Sequence, residues 1–79
     1  MGTKNNPGSF DCYANAEPDE PMFVLLARDK TAPALVLEWA MERKRLIDEG
    51  RKPKEDLDMV AEAMDCAHKM IAWQTRNRP

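Results

Sequence analysis

Cysteine is scarce in this chain. Cys12 and Cys66 are the only two among 79 residues. Two cysteines form at most one bridge, which excludes the dense disulfide framework that staples many small domains. Cys66 also falls on an apolar helical stripe, where a reduced thiol acts as a small hydrophobe. Glycine is sparse too, at three residues, and no glycine-rich phosphate loop is present. His68 is the single histidine. The spacing Cys66-Ala67-His68 turns the two side chains to different sides of a helix, and zinc needs further ligands besides. No serine or cysteine pattern gives His68 a nucleophile to activate. No catalytic residue, metal or cofactor is therefore expected. Long apolar runs are missing too, with nothing near the ~18 residues of a membrane span. Lys4 is followed by no apolar segment of the secretory kind. The expected location is the cytoplasm, without membrane contact. Nor is there a dominant charge sign: 12 basic and 14 acidic residues give a formal net charge of −2. A polymeric nucleic acid is not an expected partner, because no basic block is available to neutralise its phosphates.

What the chain does have is an excess of apolar surface in residues 53–76. At about 100° per residue, two adjoining stripes appear on a helical wheel. One holds Leu57, Val60, Met64, Ala67 and Ile71, and the other Met59, Ala63, Cys66, Met70 and Trp73. Together they span roughly 200°, about twice what a surface helix of a monomer requires. Asp58, Glu62, Asp65, Lys69 and Arg76 form the polar face. One stripe packs within the chain and the other calls for a partner. A domain this small buries only about 60% of its unfolded surface, and oligomerisation is one source of the missing burial. A homo-oligomer is expected, with Met59, Cys66, Met70, Trp73 and Trp39 at its interface.

The chain divides into an N-terminal tail (1–18), a helical domain (19–76) and a short C-terminal tail (77–79). In the first tail, Asn5, Asn6, Pro7, Gly8 and Ser9 are loop formers. Phe10, Cys12 and Tyr13 follow, and anchor the tail onto the helices or onto a neighbouring subunit; the alternative is an unstructured tail. Asp19 is placed to cap a short helix with Pro21 in its first turn and Met22, Phe23, Leu25 and Leu26 on its buried side. The continuous run Phe23-Val24-Leu25-Leu26 also suits a strand. Thr31 is expected to cap a second helix that carries Pro33 in its first turn and runs to about Glu49, with Gly50 just past its end. A third helix starts near Pro53 and ends near Thr75. The short loop between them makes the two long helices antiparallel neighbours. The expected fold is all-α: a short N-terminal helix, then an antiparallel two-helix hairpin.

Arg43 is the most pointed residue. It projects into an arc of Ala32, Leu35, Val36, Trp39, Ala40, Leu46 and Ile47. A guanidinium there needs a partner. It either snorkels or pairs with a carboxylate such as Asp65, or it binds an anion at a subunit junction, which its planar fork suits. Arg28, Asp29 and Lys30 lie just before the second helix. That helix's N-terminal amides at Thr31 and Ala32, together with the cations, suit a phosphate; the alternative is a solvated turn that Asp29 helps to cap. Trp39 and Trp73 read as core or interface anchors. Tyr13 is less committed to a core and is the candidate for stacking on a base, with Asn15 adding a base-edge hydrogen bond.

The strings Asp11-Cys12-Tyr13-Ala14-Asn15-Ala16, Glu20-Pro21-Met22-Phe23-Val24-Leu25-Leu26-Ala27-Arg28-Asp29 and Ala32-Pro33-Ala34-Leu35-Val36, with Trp39-Ala40, resemble a group of small phage and prophage proteins. The resemblance covers about half of the chain. It implies a phage origin and action in a bacterial host cell, and carries no activity with it. In architecture alone, a short helix before a helical hairpin is similar to the phage sponges that sequester cyclic oligonucleotides of CBASS or Thoeris-type immunity. Those are homo-oligomers with ligands held at subunit junctions. The analogy implies a non-enzymatic anti-defence protein that binds a small anionic nucleotide through Arg43, Arg28, Lys30, Tyr13 and Asn15. The alternative is an interaction module that inhibits a host defence protein or serves phage assembly.

Overall fold

A computed structural model describes residues 1–77. It is all-helical, with no strand among the described residues. The elements are α1 (Cys12–Asn15), α2 (Ala32–Asp48), a 3₁₀ turn (Lys54–Asp56) and α3 (Leu57–Arg76). Arg78 and Pro79, the end of the expected C-terminal tail, lie outside the described residues.

The two long helices form where strong helix formers are bounded by the expected punctuation. Pro33 sits in the first turn of α2, where its missing N–H is not needed. Lys44–Asp48 and Arg45–Glu49 are ion pairs one turn apart on its exposed side. At its end Gly50 takes φ +75°, a left-handed conformation that costs glycine little. The Gly50 N–H then donates to the Ile47 carbonyl (3.0 Å), and the Arg51 N–H to that of Leu46 (2.9 Å). This paired closure satisfies carbonyls that the helix leaves open. At the start of α3, Pro53 precedes the 3₁₀ turn and Asp58 complements the helix dipole. At the other end, the Asn77 side chain donates to the Trp73 carbonyl (2.8 Å).

α2 and α3 pack on each other through a thin core. Ala40, Ile47, Val60 and Ala63 form its centre, and Ala32 and Ala67 are also fully buried. Four of these six residues are alanine, so the backbones approach closely and little apolar area leaves water. Hydrophobic stabilisation scales with that area. The stripes of α3 divide accordingly. Met59, Cys66 and Met70, expected at an oligomer interface, are half-buried in the single chain. Leu57, Met64 and Ile71 of the other stripe expose 40–45% of their surface.

The N-terminal tail is tied to α3 by one carboxylate. Glu62 accepts from the Ser9 N–H (2.8 Å), the Phe10 N–H (3.0 Å) and the Met1 ammonium (3.2 Å). Met1 also packs against the core cluster. By helical spacing Glu62 belongs to the polar face of α3, yet it is half-buried, with the tail over it. Gly8 makes the close approach feasible. Its φ is +79°, and a Cβ there would lie 2.8 Å from the Glu62 Oε1. The hydrogen bond from the Ser9 N–H, followed by those from the terminal ammonium and the Phe10 N–H, holds the Glu62 carboxyl below its ordinary pKa. A carboxyl depressed on folding contributes above the usual glutamate range and loses that contribution as pH falls through the folded value. The tail is expected to stay docked at neutral pH and to release in acid below that range. Amide exchange at Ser9 and Phe10 checks this: their protection should fall several-fold on acidification, beyond the intrinsic pH effect, and be absent at all pH values in Glu62→Ala.

Two local expectations fail. The helix expected from Asp19 does not form, and the short N-terminal helix lies earlier, at Cys12–Asn15. Asp11 caps that earlier turn, accepting from the Tyr13 and Ala14 amides. Asp19 is instead spent in a turn, where the Glu20 N–H donates to the Glu17 carbonyl and the Glu17 N–H to the Glu20 carboxylate. Pro18 favours such a turn by fixing its φ. A helix that short has no propensity to spare without a packed face, and Met22, Phe23, Val24 and Leu26 are exposed. Thr31 does not cap α2 either. Its hydroxyl donates to Asp29 (2.8 Å), so Asp29 organises the helix entrance.

Candidate functional site

The turn before α2 and the end of α3 enclose a groove lined by two cationic side chains. Gln74 on α3 makes the connection. Its amide donates to the Ala27 carbonyl (2.8 Å) and the Asp29 carbonyl (3.1 Å), fixing the turn that carries Arg28 and Lys30. Arg28, Lys30, Trp73, Thr75 and Asn77 line an open groove of about 480 Å³. That volume lies within the range of small-molecule sites. Among the described residues, neither Arg28 nor Lys30 forms an ion pair. Trp73 contributes a part-exposed indole. Two cations and an aromatic surface suit an anion joined to a flat ring system.

Asp29 sits between the two cations, but its carboxylate is engaged elsewhere. It accepts from the Thr31 hydroxyl and the Thr31 N–H (3.0 Å). The hydroxyl first, and then the amide, hold its pKa below the ordinary carboxylate value. This corrects the expectation of free amides at the start of α2. The Thr31 N–H goes to the Asp29 side chain and the Ala32 N–H to the Asp29 carbonyl (3.0 Å). The two amides expected to be free, those of Thr31 and Ala32, are therefore both paired within the turn.

No family model, curated protein or solved structure matches the chain. The site is therefore read from its own geometry.

The other expected ligand residues lie elsewhere in the single chain. Arg43 pairs with Asp56 (3.1 Å) in the 3₁₀ turn, not with Asp65, and both partners are half-buried. Asp65 pairs with Lys69 one turn along α3 instead (2.9 Å). The Arg43 guanidinium also lies 5.1 Å from the centre of the Trp39 ring, a cation–π distance. Asp56 and Trp39 give Arg43 the partners its position demands. Tyr13 and Asn15 project from α1, exposed, and do not line the groove. Trp39 is part-exposed, and Cys12 and His68 are exposed.

Gln74 and Glu62 escaped the sequence reading. Gln74 had a visible signal, because Ala63, Ala67, Met70 and Gln74 fall on one face at helical spacing. An amide that continues an apolar row has a polar partner to meet. Glu62 had none, since its partners are backbone amides of a distant tail.

Proposed function

We propose that this chain is a non-enzymatic, phage-encoded protein that binds a small anionic cyclic nucleotide as a homo-oligomer in the bacterial cytoplasm. Its role is to withhold that signal from host defence. The observation that carries the reading is the groove lined by Arg28 and Lys30, free of ion pairs among the described residues, together with Trp73. Arg28 and Lys30 hold phosphate, the first as a planar fork and the second as a point charge. Trp73 supplies an aromatic surface for a base. Gln74 positions the turn. The contacts of Gln74 with the entrance of α2, and of Arg43 with Asp56, support an antiparallel α2–α3 hairpin. The exposed apolar side chains support self-association. A second copy closes the open side of the groove and is the route by which Tyr13, Asn15 or Arg43 reaches the ligand. The phage assignment rests on the resemblance of the strings around Tyr13, Phe23 and Pro33.

A second reading has an observation of its own. Residues 22–26 present an apolar run outside any helix, with Phe23 87% exposed. A host or phage protein that covered this run would make the chain an interaction module.

Thermal unfolding followed by the fluorescence of Trp39 and Trp73, against a panel of linear and cyclic nucleotides, separates the two. A ligand at 100 times its dissociation constant adds about 2.7 kcal/mol. For a domain of this size that raises the midpoint by roughly 10 °C or more. A selective rise with one cyclic nucleotide is the expected result. No rise across the panel removes the nucleotide reading and leaves the interaction module.

A further inference from the structure

The polar side chains that α3 contributes to the cationic groove have turned their donors inward. Gln74 is the clearest case. Its Nε2 donates to two carbonyls, those of Ala27 (2.8 Å) and Asp29 (3.1 Å), and a side-chain amide has only two N–H groups. These bonds fix which way round the amide lies. Turned over, its oxygen would meet two carbonyl oxygens and both bonds would be lost. The Gln74 Oε1 is thus held as an acceptor, and it takes no hydrogen bond from the described residues. It is open to solvent, because Gln74 is half-buried and no buried side-chain oxygen among the described residues lacks a partner.

Thr75 repeats the pattern. Its hydroxyl donates to the Ile71 carbonyl one turn back (3.0 Å), which leaves a ligand only the oxygen lone pairs. The Asn77 amide spends one of its two N–H groups on the Trp73 carbonyl (2.8 Å). All three side chains line the groove with Trp73. The groove therefore holds two opposite kinds of polar group. Arg28 and Lys30, from the turn, only donate. Gln74 and Thr75, from α3, have acceptors left and no donor.

We infer that the groove selects a nucleotide whose base carries an exocyclic amino group, which donates to the Gln74 Oε1 and the Thr75 hydroxyl oxygen. Adenine, guanine and cytosine qualify; uracil and hypoxanthine do not. The inference rests on the nucleotide reading above and names the base within it. Phosphate oxygens only accept, so they go to the cations of the turn. The base stacks on Trp73 and turns its edge to the acceptors of α3. Amino groups are the donors on the edges of adenine, guanine and cytosine. Uracil has a carbonyl where cytosine has its amino group, and hypoxanthine has one where adenine does. That carbonyl would set oxygen against oxygen and leave the acceptors unpaired. Hypoxanthine is also guanine without its 2-amino group. A site built to bond a substrate N–H discriminates against the analogue that lacks it.

Isothermal titration of the full chain with cyclic nucleotides in matched pairs tests this. The pairs share one backbone and set guanine against hypoxanthine, adenine against hypoxanthine, and cytosine against uracil. In the pair that binds best, the amino-bearing member should bind about three- to tenfold tighter, the worth of one neutral hydrogen bond. In that complex, nuclear Overhauser contacts should join the amino protons of the ligand to the Gln74 and Thr75 side chains. Both readouts use the wild-type chain, because replacing Gln74 would also release the turn that carries Arg28 and Lys30. Equal binding within every pair, a preference for uracil or hypoxanthine, or amino protons in contact with neither residue overturns the inference and leaves the nucleotide reading standing. Absence of saturable binding for every member overturns both.

Discussion

Replacing Arg28 and Lys30 together by alanine is expected to remove nucleotide binding and leave the fold intact. A hydrogen bond to a charged group contributes about 1.5–3 kcal/mol, and each 1.4 kcal/mol is tenfold in affinity. Each substitution should therefore weaken binding by roughly 10- to 100-fold, and the pair by more. Both side chains are exposed and outside the ion pairs of the described residues. Melting without ligand should accordingly move by no more than about 0.5 kcal/mol. Arg43→Ala gives the opposite pattern within one chain. It leaves Asp56 half-buried without its cation and uncovers Trp39, so it lowers the melting midpoint. Thermal melts of both variants, with and without nucleotide, check the contrast. Wild-type affinity in the Arg28 and Lys30 double variant would place the ligand outside this groove.

The second large effect belongs to the helix interface. Ala63→Leu is expected to destabilise the fold strongly, because Ala63 is fully buried in the same cluster as Ala40 and Ile47. Added methylenes in a close-packed interior force shifts that cost about 1–3 kcal/mol. In a domain of this size, a loss of about 1–3 kcal/mol lowers the midpoint by roughly 5–20 °C. Ala72→Leu, on the exposed side of the same helix, serves as the control and should change little. Comparable melting of the two variants by circular dichroism would contradict the thin, close-packed interface.

The long helices were legible because their signals are local. Pro33, Gly50 and Pro53 mark starts and stops through their own backbone preferences, and the α3 stripes follow from helical spacing alone. The helix expected at Asp19 failed for a reason that is not local. Its capping signal competes with the turn made by Pro18, and only a packed face would decide for the helix. The division of the stripes depends on how α3 lies against α2, and the Glu62 link to Ser9 and Phe10 bridges distant parts of the chain. The place of Arg43 on an apolar arc demands a partner; which carboxylate it meets depends on the helix-to-helix register that brings Asp56 within reach. In the site, Arg28 and Lys30 were legible as cations next to a helix start. The groove itself was not, because Trp73 and Gln74 join it only once α3 lies against the turn before α2.

The most direct test of the nucleotide site is isothermal titration of the full-length chain with the cyclic nucleotide that gives the largest thermal shift, or with each of the panel if none does, at low and high salt. Saturable binding that weakens as salt rises, and that disappears in the Arg28 and Lys30 double variant, is the result predicted for phosphate held by two cations in the groove. Absence of saturable binding for every nucleotide at low salt, or binding that the double variant retains, would contradict it.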